Sequence, residues 1–550
     1  MRCMQLKTEN RFIPSRSVLY EIYPRSFRDT NADGDGDLRG VSEKLGYLKE
    51  LGINAIWISP FYPSPMKDGG YDVSDYCDVN PLFGNINDAE ELIREAHKRG
   101  ISVVIDLVLN HTSVRHPWFL ESMSSRNSSK RDWFIWRDSV DGHEPTNWIS
   151  AFGGSAWKYD GKTGQYYLHS FLEEQADLNW ENPEVVEAIK NVMKFWFEKG
   201  VDGFRLDAVN FIGKDPRFLD EPQNPDYIKG QMEPYYQLSH IYSKDQDSSF
   251  VHLAMLADFV QRYDGRFLIP EAYPDQRGIE AILEYKKYYE RLNNKVVAPF
   301  NFELIFLPWN ALEYRSFVDS YTGSLSAGQL PIIVLGNHDR SRIATRIGDA
   351  QAKVAAVMMM TLPGMPVIYY GDEIGMHDVK DIPPERVQDP YGFQEPGFGR
   401  DPERTPMQWN GSLNAGFTEG NPWLPVHGDF LAVNVEEERK DPRSFFELYR
   451  NLIQLRGKSQ ALTEGTYVSV DVGSDRVYGY VRVFGESKFI VLLNFSDVAQ
   501  PCSFPSGSVQ VVLSTHKQRM LKEVCDISSI VLFPNEASVF RVGSVRGSSF

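Results

Sequence analysis

The sequence is poor in cysteine and holds no hydrophobic run that approaches membrane-spanning length. Its four cysteines, Cys3, Cys77, Cys502 and Cys525, are scattered over 550 residues without a CxxC pair. That spacing argues against a disulfide framework and fits a reducing compartment. The amino-terminal stretch contains no apolar segment of the signal-peptide type. We therefore expect a cytoplasmic protein that is not bound to a membrane.

Positively charged residues are also fewer than negatively charged ones. Lys and Arg number 58 against 75 Asp and Glu, which gives a formal net charge of −17. Such a chain would repel nucleic-acid phosphates, so a nucleic-acid partner is not expected and a neutral or cationic ligand is favoured. Aromatic residues make up 13% of the chain, which suits sugar rings because their C–H faces stack on aromatic side chains. We expect no organic cofactor.

Short apolar runs alternate with helical patterns along much of the chain. Runs of strand type occur at 18–23, 54–58 and 102–108, and the segments between them have apolar residues at helical spacing. For the second of these helices, Asn87 or Asp88 is predicted as the amino-terminal cap. Strands that alternate with helices at this spacing predict a parallel sheet.

Polar residues stand at the ends of the predicted strands. They are Asp106, Asp207, Glu271, the neighbours His338 and Asp339, and Asp372. Active sites of (β/α)8 barrels lie at the carboxyl ends of their strands. The pattern therefore predicts an α/β protein built on an enzyme-like (β/α)8 TIM barrel.

The alternation breaks in two places, and these breaks predict the domain organisation. Residues 109–177 are rich in Trp, Ser, Asn and Gly and are predicted to be a small domain inserted after the third strand. Residues 1–108 and 178–460 then form the barrel. After residue 460 the sequence pattern changes to short apolar runs separated by turns. Residues 461–550 are therefore predicted to be an antiparallel all-β domain.

Arg205 and Asp207 stand two residues apart on a predicted buried strand, so their side chains project to the same side. A guanidinium beside a carboxylate keeps it ionised, as a carboxylate nucleophile requires. A core ion pair at a strand end is the alternative on this segment alone. Glu271 closes another apolar strand, and two carboxyl groups facing one pocket would supply the chemistry of glycoside hydrolysis. Asp339 adds a third carboxylate that could help to keep Glu271 protonated.

An acidic segment between the first strand and the first long helix matches the first nine positions of a calcium loop. The candidate ligands are Asp29, Asn31, Asp33, Asp35 (through its carbonyl) and Asp37. Position twelve is Gly40, so the bidentate glutamate of an EF-hand is missing. So many carboxylates would repel each other without a cation. We expect a structural Ca²⁺ site here, with Mg²⁺ as the alternative ion.

Eight motifs together resemble a known family. Four are DLVLNH at 106–111, GFRLDAV at 203–209, PEAY at 270–273 and GNHD at 336–339. The others are the acidic segment 29–37, KDGGYDVSDY at 67–76, QADLNW at 175–180 and RDPERTPMQW at 400–409. On these the sequence resembles the α-amylase superfamily of retaining glycoside hydrolases (glycoside hydrolase family 13). Within it, the sequence is similar to the α-glucosidase and oligo-1,6-glucosidase branch over nearly the whole chain.

The resemblance implies a role for each of eleven residues. Asp207 would be the nucleophile, Glu271 the general acid/base and Asp339 the stabiliser of the transition state. The implied substrate-binding residues are Asp68, Tyr71, His111, Phe152, Phe171, Arg205, His338 and Arg404. Among these, Asp68 and Arg404 would grip the far hydroxyls of the non-reducing glucose and make the enzyme exo-acting. The implied substrates are maltose and short maltooligosaccharides, handled by a monomer or homodimer.

Two positions depart from the pattern of the branch. Ala176 stands in QADLNW where the branch usually has Pro, which puts the subfamily in question. Ala208 follows the nucleophile, where Val goes with α-1,6 specificity and Thr or Ala with α-1,4. We therefore expect an α-1,4 preference with some transglucosylation.

Three alternatives to an α-1,4-specific α-glucosidase stay open. One is an oligo-1,6-glucosidase, and another is an intramolecular glucosyl transferase such as a trehalose synthase. The sucrose isomerases belong with the latter, but their arginine-rich loop is not evident. The third is a non-catalytic relative of the amino-acid-transporter heavy-chain kind. Such relatives lack the three acids and carry a membrane anchor, whereas this chain has all three acids and is not expected to have an anchor.

Overall fold

The structure, a computed structural model, describes residues 12–292, 296–394 and 397–543. The ends of the first and last predicted domains (1–11, with Cys3, and 544–550) lie outside the described residues. The strands are β1 Leu19–Ile22, β2 Ala55–Ile58, β3 Ser102–Val108, β4 His111–Ser113, β5 Trp136–Arg137, β6 Trp157–Asp160, β7 Gln165–Leu168, β8 Gln175–Asp177, β9 Gly203–Asp207, β10 Phe267–Pro270, β11 Ile332–Val334, β12 Met365–Tyr369, β13 Thr466–Val470, β14 Val477–Phe484, β15 Ser487–Asn494, β16 Gln500–Pro501, β17 Ser508–Ser514, β18 Val524–Asp526, β19 Val531–Leu532 and β20 Ala537–Val542. The α-helices are α1 Pro24–Phe27, α2 Leu38–Leu51, α3 Ile86–Lys98, α4 Pro117–Ser122, α5 Pro183–Glu198, α6 Asp247–Val260, α7 Ala281–Arg291, α8 Glu303–Phe306, α9 Ala311–Ser324, α10 Ile343–Ile347, α11 Asp349–Thr361, α12 Pro390–Gln394, α13 Val435–Glu438, α14 Phe445–Gly457 and α15 Gln460–Thr463.

Seven parallel strands form the central sheet, in the order β10-β9-β3-β2-β1-β12-β11. The segment 297–301 closes this sheet into a barrel, because Val297 bridges to Leu268 of β10 and Asn301 bridges to Ile333 of β11. The strands are buried along their whole length, as parallel strands covered by helices on the outside must be. The predicted barrel fold is confirmed, although 297–301 was not among the predicted strands.

The helix ends follow their capping residues. Helix α2 begins after Asp37, whose side chain accepts a hydrogen bond from the Gly40 amide, and it ends at Gly52 with a φ of 102°. The prediction that Asn87 or Asp88 caps α3 is wrong. The cap is Asn85, and Asp88 completes a capping box by accepting the Asn85 amide. The helix therefore starts one residue after Asn85, and Asn87 lies in its first turn.

Between β3 and α5 the chain leaves the barrel. Strands β4 and β8 pair antiparallel at the base of this excursion, and β5, β7 and β6 form a small separate sheet above them. Gln175 and His111 lie on β8 and β4, so the base of the excursion faces the carboxyl ends of the barrel strands. The excursion thus contributes side chains to the same end of the barrel as Asp207.

The carboxyl-terminal part is a six-stranded antiparallel sheet in the order β13-β14-β15-β20-β17-β18. One short strand pair of this part lies outside the six-stranded sheet. Residues Val531–Leu532 pair with Gln500–Pro501 outside that sheet. No helix in the described part of the chain is long and apolar enough to cross a membrane.

A buried arginine joins helix α14 to the end of helix α11. Arg456 is 1% exposed and donates to the carbonyls of Met360 (3.0 Å), Leu362 (3.2 Å) and Leu462 (3.0 Å) and also to that of Gly364. No described carboxylate pairs with it, and burial lowers its pKa to about 9. The guanidinium is held by the carbonyl oxygens that a helix end leaves without partners.

We expect Arg456→Met to lower the free energy of unfolding by about 3 kcal/mol, because it leaves several buried carbonyls without donors. Chemical denaturation followed by circular dichroism measures the loss. Arg450→Met is the matched control, since Arg450 lies on the same helix with a half-exposed side chain paired to Glu447 at the surface. Equal stability of the two variants would contradict the account of Arg456.

Candidate active site

Arg205 is the centre of a buried cluster of carboxyl groups at the carboxyl end of the barrel. Its Nη1 lies 2.7 Å from Oδ1 of Asp106 and 2.7 Å from Oδ1 of Asp207, and its Nη2 contacts Oε1 of Glu271. The strand register explains the meeting, because Asp106 of β3 and Ile269 of β10 both pair with Arg205 of β9. Asp207 ends β9, and Glu271 directly follows β10. One guanidinium thus holds the two predicted catalytic carboxyls side by side.

These carboxyls resist being ionised together. Burial raises the pKa of Asp207 well above its ordinary range, and the charges of Glu271 and Asp106 add to the rise, although Arg205 opposes it. Burial likewise raises the pKa of Asp106 to about 6 against the influence of Arg205. Burial thus makes it unfavourable to ionise Asp106 and Asp207 together, although both contact the Arg205 guanidinium.

Ala208 links the nucleophile strand to Glu271. Its amide donates to Oε2 of Glu271 over 3.0 Å. Its φ is 49° and its ψ is 36°, the left-handed region that a residue with a Cβ rarely adopts. Such a conformation persists only where the surrounding structure holds it. Here it turns the chain sharply after Asp207 and aims an amide at the second carboxyl.

His338 lies between a buried glutamate and the pocket. Its Nδ1 is 2.5 Å from Oε1 of Glu21, and its Nε2 is 2.8 Å from the hydroxyl of Tyr71. The rings of Tyr71 and His338 stack with centroids 5.6 Å apart and an angle of 9° between them. Burial lowers the pKa of His338 well below its ordinary value. Burial thus favours the neutral form of the imidazole, and the contact with Glu21 fixes the orientation of the ring.

Asp339 lines the pocket and is held by two arginines. Its Oδ1 lies 2.8 Å from Nη2 of Arg404 and 3.3 Å from Nη1 of Arg400. Burial works to raise the pKa of Asp339, but His338, Arg404 and Arg400 outweigh it and keep that pKa far below its ordinary range. Asp339 is therefore a fixed negative charge.

The far end of the pocket is closed by an ion pair. Asp68 accepts from Nη2 of Arg400 at 2.7 Å and from Nε2 of Gln175 at 2.9 Å. Arg400 also contacts Asp389 at 2.7 Å. The structure thus brings Arg400 to Asp68. Arg404 lies behind Asp339 and donates to the His338 carbonyl at 2.8 Å.

The remaining predicted residues line the wall between these groups. Nε2 of His111 is 3.0 Å from Nε2 of Gln175, and burial lowers the pKa of His111 to about 4. The ring of Phe171 lies 5.1 Å from that of His111 and 5.8 Å from that of Phe152. The Arg400 guanidinium sits 5.0 Å from the Phe152 ring centre. All of the predicted substrate residues except Arg205 and Arg404 line the pocket itself.

The acidic loop 29–37 lies apart from the pocket. Asp29 accepts the amides of Asn31 (2.8 Å) and Gly34 (2.9 Å), Asp37 accepts that of Thr30 (2.8 Å), and Asp35 pairs with Arg25. Asn31 donates to Asp33 at 2.8 Å. Among the described residues, no three His, Cys, Asp or Glu side chains are placed to share a metal ion. A cation in this loop therefore stays a prediction.

If the loop binds Ca²⁺ as predicted, we expect removal of the ion to destabilise the fold. A ligand present at about 100 times its Kd stabilises by about 2.7 kcal/mol, so EDTA should lower the melting temperature and added Ca²⁺ should restore it. Asp33→Ala should remove the response, and Asp132→Ala, in another surface turn, should keep it. A melting temperature that does not change with EDTA or Ca²⁺ in the wild type would contradict the prediction.

Comparisons with known proteins agree with this geometry. The family described as "Alpha amylase, catalytic domain" matches residues 21–465. The oligo-1,6-glucosidase of Parageobacillus thermoglucosidasius is 38% identical, over 96% of this chain and 98% of its own length. This chain belongs to the α-amylase family. An α-glucosidase of Culex pipiens is also 38% identical, over 96% and 90%. The crystal structure of the α-glucosyl transfer enzyme XgtA superposes with a TM-score of 0.88 at 34% identity, covering 97% of this chain and all of that one.

The chain is thus a glycosidase of the α-amylase family. Sequence reasoning missed several residues of its pocket. Arg400 and Gln175 lie in two of the quoted motifs, and Glu21 is the only charged residue in the apolar run 18–23. A single charge in a buried strand was the signal that could have found Glu21. Glu233 and Arg340 also line the pocket; Arg340 directly follows the GNHD motif, whereas Glu233 lies in a segment without a distinctive pattern.

Proposed function

We propose that the protein is a retaining, exo-acting α-glucosidase. It would release α-glucose from the non-reducing end of short α-glucosides, favouring α-1,4-linked maltooligosaccharides, and would also transfer glucosyl units to sugar acceptors. The observation that carries the proposal is the guanidinium of Arg205, which contacts both Asp207 and Glu271. Retaining glycosidases need their two carboxyls only about 5 to 5.5 Å apart, and inverting ones need about 6.5 to 9.5 Å. Two carboxyls on adjacent nitrogens of one guanidinium suit the shorter spacing.

The mechanism uses the two carboxyls in turn. Glu271 protonates the glycosidic oxygen while Asp207 attacks C1 and forms a β-glucosyl ester. Water deprotonated by Glu271 then attacks the same carbon and releases α-glucose. This mechanism requires Glu271 to carry a proton and Asp207 to be ionised in the substrate complex, because Asp207 attacks only as a carboxylate. The fixed negative charge of Asp339 would stabilise the positive charge that develops on the sugar ring.

Exo action is supported by the closed end of the pocket. The ion pair of Asp68 and Arg400 blocks the path beyond a single sugar unit, and Phe152 packs over that guanidinium. The charged pair would bind the hydroxyls farthest from the bond that is cleaved. A longer chain could then enter only by its non-reducing end.

The linkage preference rests on Ala208. This residue lines the pocket beside Glu271, so its small methyl group leaves room next to the leaving sugar. The similarity to an oligo-1,6-glucosidase favours the other linkage, and the similarity to XgtA, an α-glucosyl transfer enzyme, favours transfer. Cytoplasmic location and a monomeric or homodimeric state stay predictions.

A product profile tests the proposal. The purified enzyme is incubated separately with maltose, isomaltose, sucrose and trehalose, and the products are separated and quantified. We expect glucose from maltose at the highest rate, with longer oligosaccharides at high substrate concentration. Faster cleavage of isomaltose would indicate an oligo-1,6-glucosidase, and conversion of maltose to trehalose would indicate an intramolecular transferase. No cleavage of any of the four would overturn the proposal.

A further inference from the structure

One side of the pocket is built differently from the rest. Around Asp68 and His111 the polar side chains that line the pocket are hydrogen-bonded to Gln175 and Arg400. On the side of Glu271, the hydroxyls of Tyr235, Tyr273 and Tyr391 and the Nε of Arg340 are buried and make no hydrogen bond of normal geometry with a described residue, although Tyr273 lies close to Arg340 and Tyr391 lies close to Glu233. Buried polar groups without partners are costly. Several of them together on one wall indicate a surface that is completed by a polar ligand.

Arg340 and Glu233 form the charged part of this wall. Arg340 directly follows Asp339 after β11, whereas Glu233 lies in the long loop after β9. Their nearest atoms, Nη1 and Oε1, are 3.5 Å apart, which is longer than a normal hydrogen bond, and their side chains are 33% and 21% exposed. The Arg340 guanidinium rests 5.0 Å from the Phe306 ring centre. Both groups therefore keep hydrogen-bonding capacity that faces the pocket.

The position of this wall in the pocket indicates which part of a substrate would contact it. Tyr273 lies two residues beyond Glu271, which would protonate the leaving oxygen. In the proposed function, the glucosyl unit would occupy the end at Asp68 and Arg400. The wall with Arg340 and Glu233 thus faces the leaving sugar in hydrolysis and the incoming acceptor in transfer.

Carboxylates outnumber cations on this wall. Arg340 faces Glu233, and Lys244 lies 2.6 Å from Asp275 and 3.4 Å from Asp245. A phosphorylated leaving group would meet more carboxylates than cations, so the wall suits a neutral, hydroxyl-rich group. A guanidinium and a carboxylate together can donate to and accept from adjacent hydroxyls of one sugar ring.

We propose that Arg340 and Glu233 bind hydroxyls of the leaving or accepting sugar and so determine the enzyme's selectivity for a sugar at that position. This inference rests on the proposed glucosidase function. Arg340 and Glu233 would determine specificity, whereas Asp207 and Glu271 would carry out the bond-breaking steps.

Two substrates that share the glucosyl unit and differ in the leaving group test the assignment. The leaving group of maltose is a glucose, whereas that of p-nitrophenyl α-glucoside is a nitrophenol without sugar hydroxyls. We expect Arg340→Met to lower kcat/KM for maltose by about 10- to 100-fold, because charged hydrogen bonds are lost. The value for the aryl glucoside should change less than about threefold. Glu233→Gln should show the same split with a smaller loss, and Arg340→Lys should restore part of the maltose activity.

Arg217→Met serves as the control, since Arg217 lies nearby with a side chain 63% exposed and paired to Asp215 outside the pocket. It should leave both substrates unaffected. Equal losses on both substrates, or no loss on either, in Arg340→Met and Glu233→Gln would overturn the inference. Should Arg340→Met fail to fold by circular dichroism, Glu233→Gln and Arg340→Lys decide the matter alone. A wild-type enzyme that cleaves neither substrate would instead overturn the proposed function.

Discussion

Asp207→Asn is expected to lower kcat on every cleaved substrate by about 10⁴-fold or more, because the amide cannot form the glycosyl ester. The structure makes the substitution close to isosteric. Oδ1 of the amide can still accept the bond from Arg205 that the carboxylate accepts at 2.7 Å. Loss of activity would then report the missing nucleophile. Initial rates on maltose and on p-nitrophenyl α-glucoside measure it.

The control for this variant lies at the other end of the same barrel strand. Asp202 is buried and contacts His97 at 2.7 Å and Arg266 at 2.9 Å, away from the pocket. Asp202→Asn should lower stability while kcat stays within about threefold of the wild type. Turnover by Asp207→Asn near the wild-type rate would rule out the nucleophile assignment.

Glu271→Gln is the second variant with a large expected effect. General acid catalysis contributes about 10²- to 10⁴-fold, and the largest loss is expected on maltose, whose leaving oxygen needs a proton. The aryl glucoside needs little protonation, so its first step should be far less affected. Azide, which needs no general base, should then restore turnover and give α-glucosyl azide, because it attacks the β-glucosyl ester from the same face as water. Rates with and without azide, together with the anomeric form of the product, measure this.

Glu303→Gln is the matched control, because Glu303 is a buried carboxyl that accepts the Gly278 amide and does not line the pocket. It should retain the wild-type dependence on leaving group and should not respond to azide. An equal loss on both substrates in Glu271→Gln, with no rescue by azide, would place the acid/base elsewhere.

Much of the barrel could be predicted because its strands are short, continuous apolar runs. The segment 297–301 could not, because its run is interrupted by Pro299, which cannot donate to a strand ladder. It joins the sheet through two isolated bridges. The start of α3 was misplaced for a similar reason: Asn85, Asn87 and Asp88 all suit a cap, and only the geometry of the turn selects Asn85.

The site was predictable where each residue stands at a strand end, as Asp207 and Glu271 do. It was less predictable where function comes from irregular segments. Arg400 and Arg404 lie four residues apart on either side of a short 3-10 turn, and no periodicity tells which of them reaches Asp68. Glu233 lies in a long loop with no pattern at all. Its nearness to Arg340 depends on how two barrel loops meet, which is set by tertiary packing.

Trapping the covalent intermediate tests directly whether Asp207 is the nucleophile. The wild-type enzyme would be incubated with a fluorinated α-glucosyl fluoride that forms the ester quickly and hydrolyses it slowly, and the labelled peptide would be sequenced by mass spectrometry. We expect a single glycosyl label on Asp207, with α-glucose as the first product from natural substrates. A label on Glu271 or Asp339, or no label together with β-glucose as the first product, would contradict it.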